Sequence, residues 1–266
     1  MIGALVARGV LVALLAFMTL PTVVVIVASF NPTAILSFPP DGLSLRWYVN
    51  ALTYPQFQRA AVNSLVVTIA SAVLAVPFGT AAAFALVRSP LRARGTWTAL
   101  LLSPLVIPGV AAGLGFLILA AKVGLLTSRW VLIVAHVALV LPFVIRSVAV
   151  SVANLDPALE RAAASLGARP WRVFARVTLP LLRPGLVAGL LFALIVSVNE
   201  FVVSLFISTR VTEILPVAMF TYVVNYTDPT MAALSTLFIM ATVLAVVVAD
   251  RWLDLSRVFQ IGEQGR

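Results

Sequence analysis

The sequence contains no cysteine and only one histidine, His136. Without cysteine the chain can form no disulfide, no thiolate metal site and no cysteine nucleophile. A single histidine cannot build a zinc site without further ligands, so we expect His136 to pack or to form an interhelical hydrogen bond. A Gly-x-x-x-x-Gly-Lys-Ser/Thr phosphate loop is also missing. We therefore expect no cofactor on this chain, and any nucleotide hydrolysis would belong to another protein.

Charged residues are scarce as well, at 10% of 266 residues, while 62% are hydrophobic. Soluble domains carry about a quarter charged residues, so this composition indicates a membrane protein. The net charge of +9 could suggest a nucleic-acid partner. The arginines lie between apolar stretches, however, so membrane topology explains them better and we expect no nucleic acid to bind.

Six apolar stretches reach the roughly 20 residues that a helix needs to cross a bilayer. They comprise residues 9–30, 60–87, 97–121, 130–153, 184–207 and 230–250. The sequence therefore predicts one all-α integral membrane domain over residues 1–266, with six transmembrane helices embedded in the lipid bilayer. The first stretch is longer than the apolar part of a signal peptide, so we interpret it as a retained anchor.

Positive charge sets the expected orientation of these spans. With the N-terminus inside, twelve of the 18 Lys and Arg residues face the cytoplasm and five face the outer side, while Arg146 lies within a span. Cytoplasmic loops of membrane proteins carry the excess of positive charge. The sequence therefore predicts that both termini are cytoplasmic.

The loop between the fourth and fifth predicted spans, residues 156–180, has the pattern helix–glycine–helix. Asp156 is a suitable N-cap, Pro157 fits the first helical position, and Gly167 fits the C′ position, where φ is positive. Pro170 can begin a second, basic helix. Four apolar residues of the first helix share one face: Leu159, Ala162, Ala163 and Leu166. Such a loop suits either an amphipathic pair resting on lipid headgroups or a docking surface for a soluble partner.

This loop resembles that of the inner-membrane permease subunits of binding-protein-dependent ABC importers. In the family the pattern is Glu-Ala-Ala, three residues, Gly, nine residues, and Ile-x-Leu-Pro. Ala162-Ala163, Gly167 and Val177-Thr178-Leu179-Pro180 fall at the same spacings. Arg161 stands where the family usually has Glu, and Glu160 lies one residue earlier.

The resemblance implies a type I ABC importer permease in the cell inner (plasma) membrane, whose loop inserts into a groove of an ATPase subunit and transmits its motion. It implies three kinds of partner: ABC ATPase subunits that bind ATP, a second permease subunit, and a periplasmic or extracytoplasmic solute-binding protein. The second permease half can be a paralogue or a copy of this chain. The implied ATPase-coupling residues are Glu160, Arg161, Ala162, Ala163, Gly167, Leu179 and Pro180.

Other segments are similar to the spermidine/putrescine branch of these permeases. They are Phe38–Tyr48, the second span from Asn63-Ser64-Leu65 to Gly79–Ala83, Ser197–Phe201 and Ile214-Leu215-Pro216. The similarity implies polyamine transport, but the branch also has relatives that carry iron(III), phosphonates and other solutes. Within the first segment, Trp47 and Tyr48 suit the headgroup belt of the membrane.

Glu200 is the only carboxylate well inside a predicted span. Helical spacing places Ser197, Glu200 and Ser204 on one face of the fifth span, and a second polar stripe follows the second span. That second stripe comprises Ser64, Thr68 and Ser71. A charge at depth is costly and usually faces a cavity or a partner. The six residues either line a translocation path for cationic cargo or form interhelical hydrogen bonds that fix packing.

Two patterns of small residues predict close approach of helices. They are Gly109-x-x-x-Gly113 and Gly185-x-x-x-Gly189. Such pairs are common in membrane spans, so they indicate packing and do not establish dimerisation.

Two other classes of function compete with the importer permease. A secondary transporter or channel that works alone would have ion-coupling carboxylates at the membrane midplane and inverted repeats. The sequence offers only Glu200 and no clear repeat. A structural membrane subunit would use the helix–glycine–helix loop as a scaffold contact.

Overall fold

The structure, a computed structural model, describes residues 2–35 and 37–253, and all regular elements in those ranges are helical. The all-α prediction is therefore confirmed for this part of the chain. Its α-helices are α1 (Ile2–Ala28), α2 (Arg46–Thr53), α3 (Pro55–Arg88), α4 (Arg94–Leu102), α5 (Gly109–Lys122), α6 (Arg129–Ala153), α7 (Pro157–Ser165), α8 (Pro170–Val173), α9 (Leu179–Leu181), α10 (Arg183–Val198), α11 (Val202–Ile207), α12 (Leu215–Asn225) and α13 (Thr230–Leu253).

Backbone contacts divide the chain into two units. The first unit combines the residues up to Gln58 with those from Ala218 onward. Within it, α1 and α2 both pack against α13. Asn50 of α2 donates a hydrogen bond of 2.8 Å to the Thr230 hydroxyl at the start of α13. The ring of Tyr222 meets those of Tyr54 and Phe57 at centroid distances of 5.3 and 5.1 Å.

The headgroup prediction for Trp47 is wrong, because this side chain is only 6% exposed within the first unit. Its indole N–H donates a hydrogen bond of 2.7 Å to the carbonyl oxygen of Asn31. A buried indole needs such a partner for its polar edge. Trp47 therefore fixes the segment that follows α1.

The second unit, Arg59–Val217, is built around α6. One core cluster joins residues of α3, α5, α6 and α11, and another joins residues of α3, α6 and α10. Along α6, apolar side chains are fully buried at regular helical spacing: Val140, Val144 and Val148. The helix therefore serves both clusters, one towards each of its ends.

The two glycine pairs allow close helix packing within this unit, as predicted. A Cβ built on Gly109 would lie 3.1 Å from Val202, and one on Gly113 would lie 2.6 Å from Phe206, so α5 packs tightly on α11. On α10, a Cβ on Gly189 would lie 3.3 Å from the Cα of Val144 on α6. Glycine is needed where two backbones approach this closely.

Four of the six predicted spans correspond to single helices, namely α1, α3, α6 and α13. The third is divided, because the helical segment Arg94–Leu105 and α5 meet at a bend of 95°. Pro104 and Pro108 lie at this bend, and proline removes a backbone donor. Within the described residues, three helices are long and apolar enough to cross a membrane, or five if each bent pair forms one span. The six-span topology stays a prediction.

Candidate functional site

The loop between α6 and α10 begins as predicted, with a short helix, a glycine turn and the start of a second helix. Asp156 caps α7, its side chain accepting a hydrogen bond of 2.8 Å from the backbone N–H of Ala158, and Pro157 occupies the first helical turn. Gly167 has φ +83°, the left-handed conformation that a C′ glycine provides. Pro170 begins α8. We call residues 156–180 the coupling segment, after the role that the sequence resemblance implies for them.

The second helix of the coupling segment differs from the single basic helix that we predicted. It consists of α8, a π-helical turn over Phe174–Thr178, and α9. The π-helical turn brings Thr178 into the interior, where its side chain is 2% exposed. A π-turn inside a helix is uncommon and changes which residues face inward.

Glu160 ties α7 to two other parts of the second unit. Its carboxylate pairs with the guanidinium of Arg88 at the end of α3 and accepts a hydrogen bond from the hydroxyl of Thr178. Partial burial raises the pKa of Glu160, but the hydrogen bonds from Thr178 and Arg88 and the charge of Arg88 outweigh it, so the net pKa is lowered. The carboxylate is therefore charged at neutral pH and holds α7 in place.

The other sequence-predicted coupling residues lie around this tie. Arg161, Ala162, Gly167 and Leu179 are exposed, while Ala163 and Pro180 are half-buried. The apolar face of α7 is turned away from the chain, since Leu159 is 48% and Leu166 is 90% exposed. Beside it, Glu160 lines an open cleft of about 310 Å³ between α7 and the π-helical turn. The coupling segment thus exposes apolar side chains, while Glu160 attaches its first helix to α3 and to Thr178.

A second cluster of polar side chains lies in the interior of the second unit. His136 of α6 is 1% exposed, and its two ring nitrogens lie 2.8 Å from the Ser197 hydroxyl and 2.9 Å from the Ser204 hydroxyl. Ser197 also contacts the hydroxyls of Thr68 and Ser71 on α3, each at 3.3 Å. The predicted interhelical role of His136 is confirmed. Four of the six residues of the predicted polar stripes therefore belong to one cluster with this histidine: Ser197 and Ser204 contact it directly, and Thr68 and Ser71 contact Ser197.

The remaining two residues of the stripes lie elsewhere. Ser64 accepts a hydrogen bond of 2.7 Å from the backbone N–H of Leu215 and is buried. Glu200 is half-buried and accepts a hydrogen bond of 2.8 Å from the backbone N–H of Val203. It does not contact His136, because the helix is interrupted at this point.

The interruption separates α10 from α11 at residues 199–201, inside the predicted fifth span. The Asn199 side chain donates to the carbonyl oxygen of Ile195 at 2.8 Å, and Glu200 bonds the first turn of α11. Asparagine side chains compete with the helical hydrogen bonds and favour helix ends, and a side-chain oxygen that accepts from a first-turn N–H stabilises the start of the next helix. The Asn199-Glu200 pair in an otherwise apolar stretch was the signal that could have revealed this break.

Together, the long apolar helices are those of a membrane protein. The family described as binding-protein-dependent transport system inner membrane component matches residues 1–257. The chain belongs to this family and is the inner-membrane permease of an ABC importer. It is a multi-pass transport subunit of the inner membrane, and membership implies ATPase, solute-binding and second permease partners.

Curated relatives and one solved structure agree with this assignment. The chain is 28% identical over 250 residues to the spermidine/putrescine transport system permease protein PotC of Escherichia coli (strain K12), covering 94% of each chain. It is 31% identical to the putrescine transport system permease protein PotI of the same strain, covering 91% of this chain and 87% of the relative. A crystal structure of a bacterial ABC transporter that imports the acidic polysaccharide alginate shares the fold, with a TM-score of 0.73 at 17% identity over 93% of this chain and 94% of that chain.

Proposed function

We propose that this permease carries a polyamine and that its coupling segment docks onto an ATPase subunit. The observation that carries the docking proposal is the exposed apolar face of α7, with Leu166 90% exposed beside the Gly167 turn. An apolar face of this kind is stabilised when a partner covers it. The ATPase is the soluble partner that membership in an ABC importer family supplies.

The tie at Glu160 supports this proposal. A segment that transmits force from a partner has to be attached to the transmembrane helices, and Glu160 joins α7 to Arg88 of α3 and to Thr178. The segment also continues through α9 directly into α10. Movement of the docked segment therefore reaches two long helices.

The predicted topology places the coupling segment on the cytoplasmic side, together with both termini. The twelve-to-five distribution of Lys and Arg supports this orientation. An ATP-dependent partner works in the cytoplasm, so the orientation and the docking proposal are consistent.

Docking can be tested by exchanging the exposed leucine. We expect Leu166→Ser to release the ATPase subunit from the complex purified through a tag on this chain, while the thermal stability of the permease stays close to wild type. Leu43→Ser is the matched control, because Leu43 is 83% exposed in the predicted outer loop. If the Leu166→Ser complex retains the ATPase as wild type does, docking through this face is wrong. Binding of the purified segment to lipid vesicles alone would favour the headgroup interpretation instead.

The cargo proposal rests on the polyamine permeases that the chain resembles and on Glu200. Within the described residues, the Glu200 carboxylate has no ion-pair partner, and its hydrogen bond comes from a backbone N–H. A half-buried carboxylate of this kind favours a cationic cargo. The hydroxyls of Ser64, Thr68 and Ser71 are engaged within the chain, so we place them behind the path.

Transport assays test the cargo. We expect the reconstituted complex to take up radiolabelled spermidine or putrescine, Glu200→Gln to weaken uptake several-fold, and Glu200→Lys to abolish it by repulsion. Asp41→Asn is the control, since it removes an exposed carboxylate from the predicted outer loop. Wild-type uptake by a folded Glu200→Lys complex would overturn the path assignment. Competition by iron(III) or a phosphonate, with none by polyamines, would identify another cargo.

A further inference from the structure

The two halves of the interrupted fifth span pack mainly against different helices. On one side of the break, α10 packs on α6, with Gly189 close to the backbone of Val144. On the other side, α11 packs on α5, with Gly113 close to Phe206. The covalent link between the pairs at this point is the three-residue segment Asn199–Phe201. The backbone N–H of Asn199 donates to the Ile195 carbonyl oxygen of α10 at 3.3 Å, and the Phe201 carbonyl oxygen accepts from the Leu205 N–H of α11 at 2.9 Å. The segment is thus bonded to the helix on each side, and such an interruption bends more easily than a continuous helix and transmits movement less directly.

His136 spans this break. It extends from α6, and its Nδ1 lies 2.8 Å from the hydroxyl of Ser197 in the last turn of α10. Its Nε2 lies 2.9 Å from the hydroxyl of Ser204 in α11. A neutral imidazole offers one donor and one acceptor, and hydroxyl groups can satisfy both. The residue therefore contacts both sides of the break with a rigid ring.

The cluster around His136 is buried and includes two residues of α3. Thr68 and Ser71 of α3 contact Ser197, and all five side chains are 7% exposed or less. Buried hydrogen bonds are stronger than exposed ones because no water competes for the donors. These contacts hold Ser197, and Ser197 in turn holds the imidazole ring that contacts Ser204.

We propose that His136 is a positioning residue that transmits the movement of α10 and α6 to α11 and α5. The inference rests on the proposed docking, since α10 continues from the coupling segment and would receive its motion. The Nε2 contact with Ser204 links the two helix pairs, and the Nδ1 contact with Ser197 orients the ring. Glu200 lies between the two pairs, because its backbone N–H donates to the Ser197 carbonyl oxygen of α10 at 3.3 Å and its carboxylate accepts from the Val203 N–H of α11 at 2.8 Å.

Substitutions at His136 separate transmission from packing. We expect His136→Leu and Ser204→Ala to lower the amount of cargo taken up per ATP hydrolysed by about three- to tenfold, the effect that one buried hydrogen bond controls. The double variant should lose no more uptake per ATP than His136→Leu alone, because both substitutions remove the same contact between His136 and Ser204. His136→Gln should restore most of the coupling, since its amide reaches the position of Nε2. The asparagine side chain in His136→Asn is too short to reach this position, so this variant should not restore the coupling.

Ser147→Ala is the matched control. Ser147 lies on the same helix as His136, but its hydroxyl donates to the Phe143 carbonyl within α6, at 2.9 Å. This variant should keep wild-type coupling. In all variants the ATPase should stay bound, because the changes lie away from the coupling segment. Unchanged uptake per ATP in an assembled His136→Leu complex would overturn the proposal, as would an equal loss in Ser147→Ala.

A distance measurement tests the bridge independently of the ATPase. The natural chain has no cysteine, so spin labels can be attached cleanly to Ile195→Cys on α10 and Leu205→Cys on α11, both partly exposed positions. We expect a narrow distance distribution in the wild-type background and in His136→Gln, and a broad one in His136→Leu. An equally narrow distribution in His136→Leu would refute the bridge even if docking holds. Loss of docking alone would leave these distributions unchanged.

Discussion

Replacement of Gly167 by valine isolates the turn in the coupling segment. Gly167 has φ +83°, and a Cβ at this position would have no neighbour within 4 Å. The change therefore causes no collision, and its cost is the backbone conformation itself. A left-handed conformation costs an L-residue about 1–2 kcal/mol, and β-branched residues tolerate it least. This shifts the turn about 5- to 30-fold away from the observed conformation.

The position of α8 relative to α7 depends on this turn, so docking should suffer more than folding. We expect the Gly167→Val permease to insert and assemble in the membrane, while cargo-stimulated ATPase activity and uptake by the reconstituted complex fall about 5- to 30-fold, in line with the shift in the turn. Both activities are measured on the same proteoliposomes and normalised to assembled permease.

Gly124→Val provides a matched comparison. Gly124, between α5 and α6, has φ +71° and open space around its Cα, so its replacement carries a similar backbone cost. It lies in a predicted outer loop, away from the coupling segment. Both variants should lose a similar amount of thermal stability, and only Gly167→Val should lose coupling. Equal uptake by the two variants would refute the role of the Gly167 turn.

Three further predictions concern stability and topology. Glu160→Gln should lower the melting temperature at pH 7 by about 2–4 °C. Because folding lowers the pKa of Glu160, the difference in stability between wild type and variant should be fully present above the ordinary glutamate pKa of about 4.3. The difference should disappear as the pH falls through the lowered pKa. Gly185→Ala should destabilise by about 1–3 kcal/mol in detergent, since its Cβ would lie 2.8 Å from a backbone oxygen of α6, whereas Gly115→Ala, with nothing within 4 Å, should not. Reporters inserted near Arg92 should be cytoplasmic and those near Asp41 external, and a cytoplasmic signal near Asp41 would contradict the six-span topology.

Local signals in the sequence sufficed for the start of the coupling segment. The N-cap at Asp156, the proline at the first helical position and the left-handed Gly167 all follow from rules that involve only neighbouring residues. The long helices were also predictable, because α3 and α6 are apolar over the length that a bilayer requires. Each of these features depends on composition or on short spacing.

The break in the fifth span was not predicted, because hydropathy reports composition and not the partners of backbone groups. The fifth stretch is apolar as a whole, and the effect of Asn199 and Glu200 depends on the hydrogen bonds that their side chains make. Trp47 shows the same limit. Its residue type suits a membrane interface, but its burial depends on the position of Asn31 in the folded chain.

The polar stripes of the second and fifth spans illustrate why an arrangement of helices gives more information than either helix alone. Each stripe by itself permits a path for cargo or a set of interhelical bonds. In the folded second unit, Ser197 and Ser204 meet His136 from opposite sides of a break, and Glu200 lies in the break itself. Hydroxyls that are already hydrogen-bonded in the interior serve to hold helices, because a passing solute would have to replace those bonds. The carboxylate bonds only a backbone N–H among the described residues and is half-buried, so it is the group of the two stripes that remains suited to meet a cation.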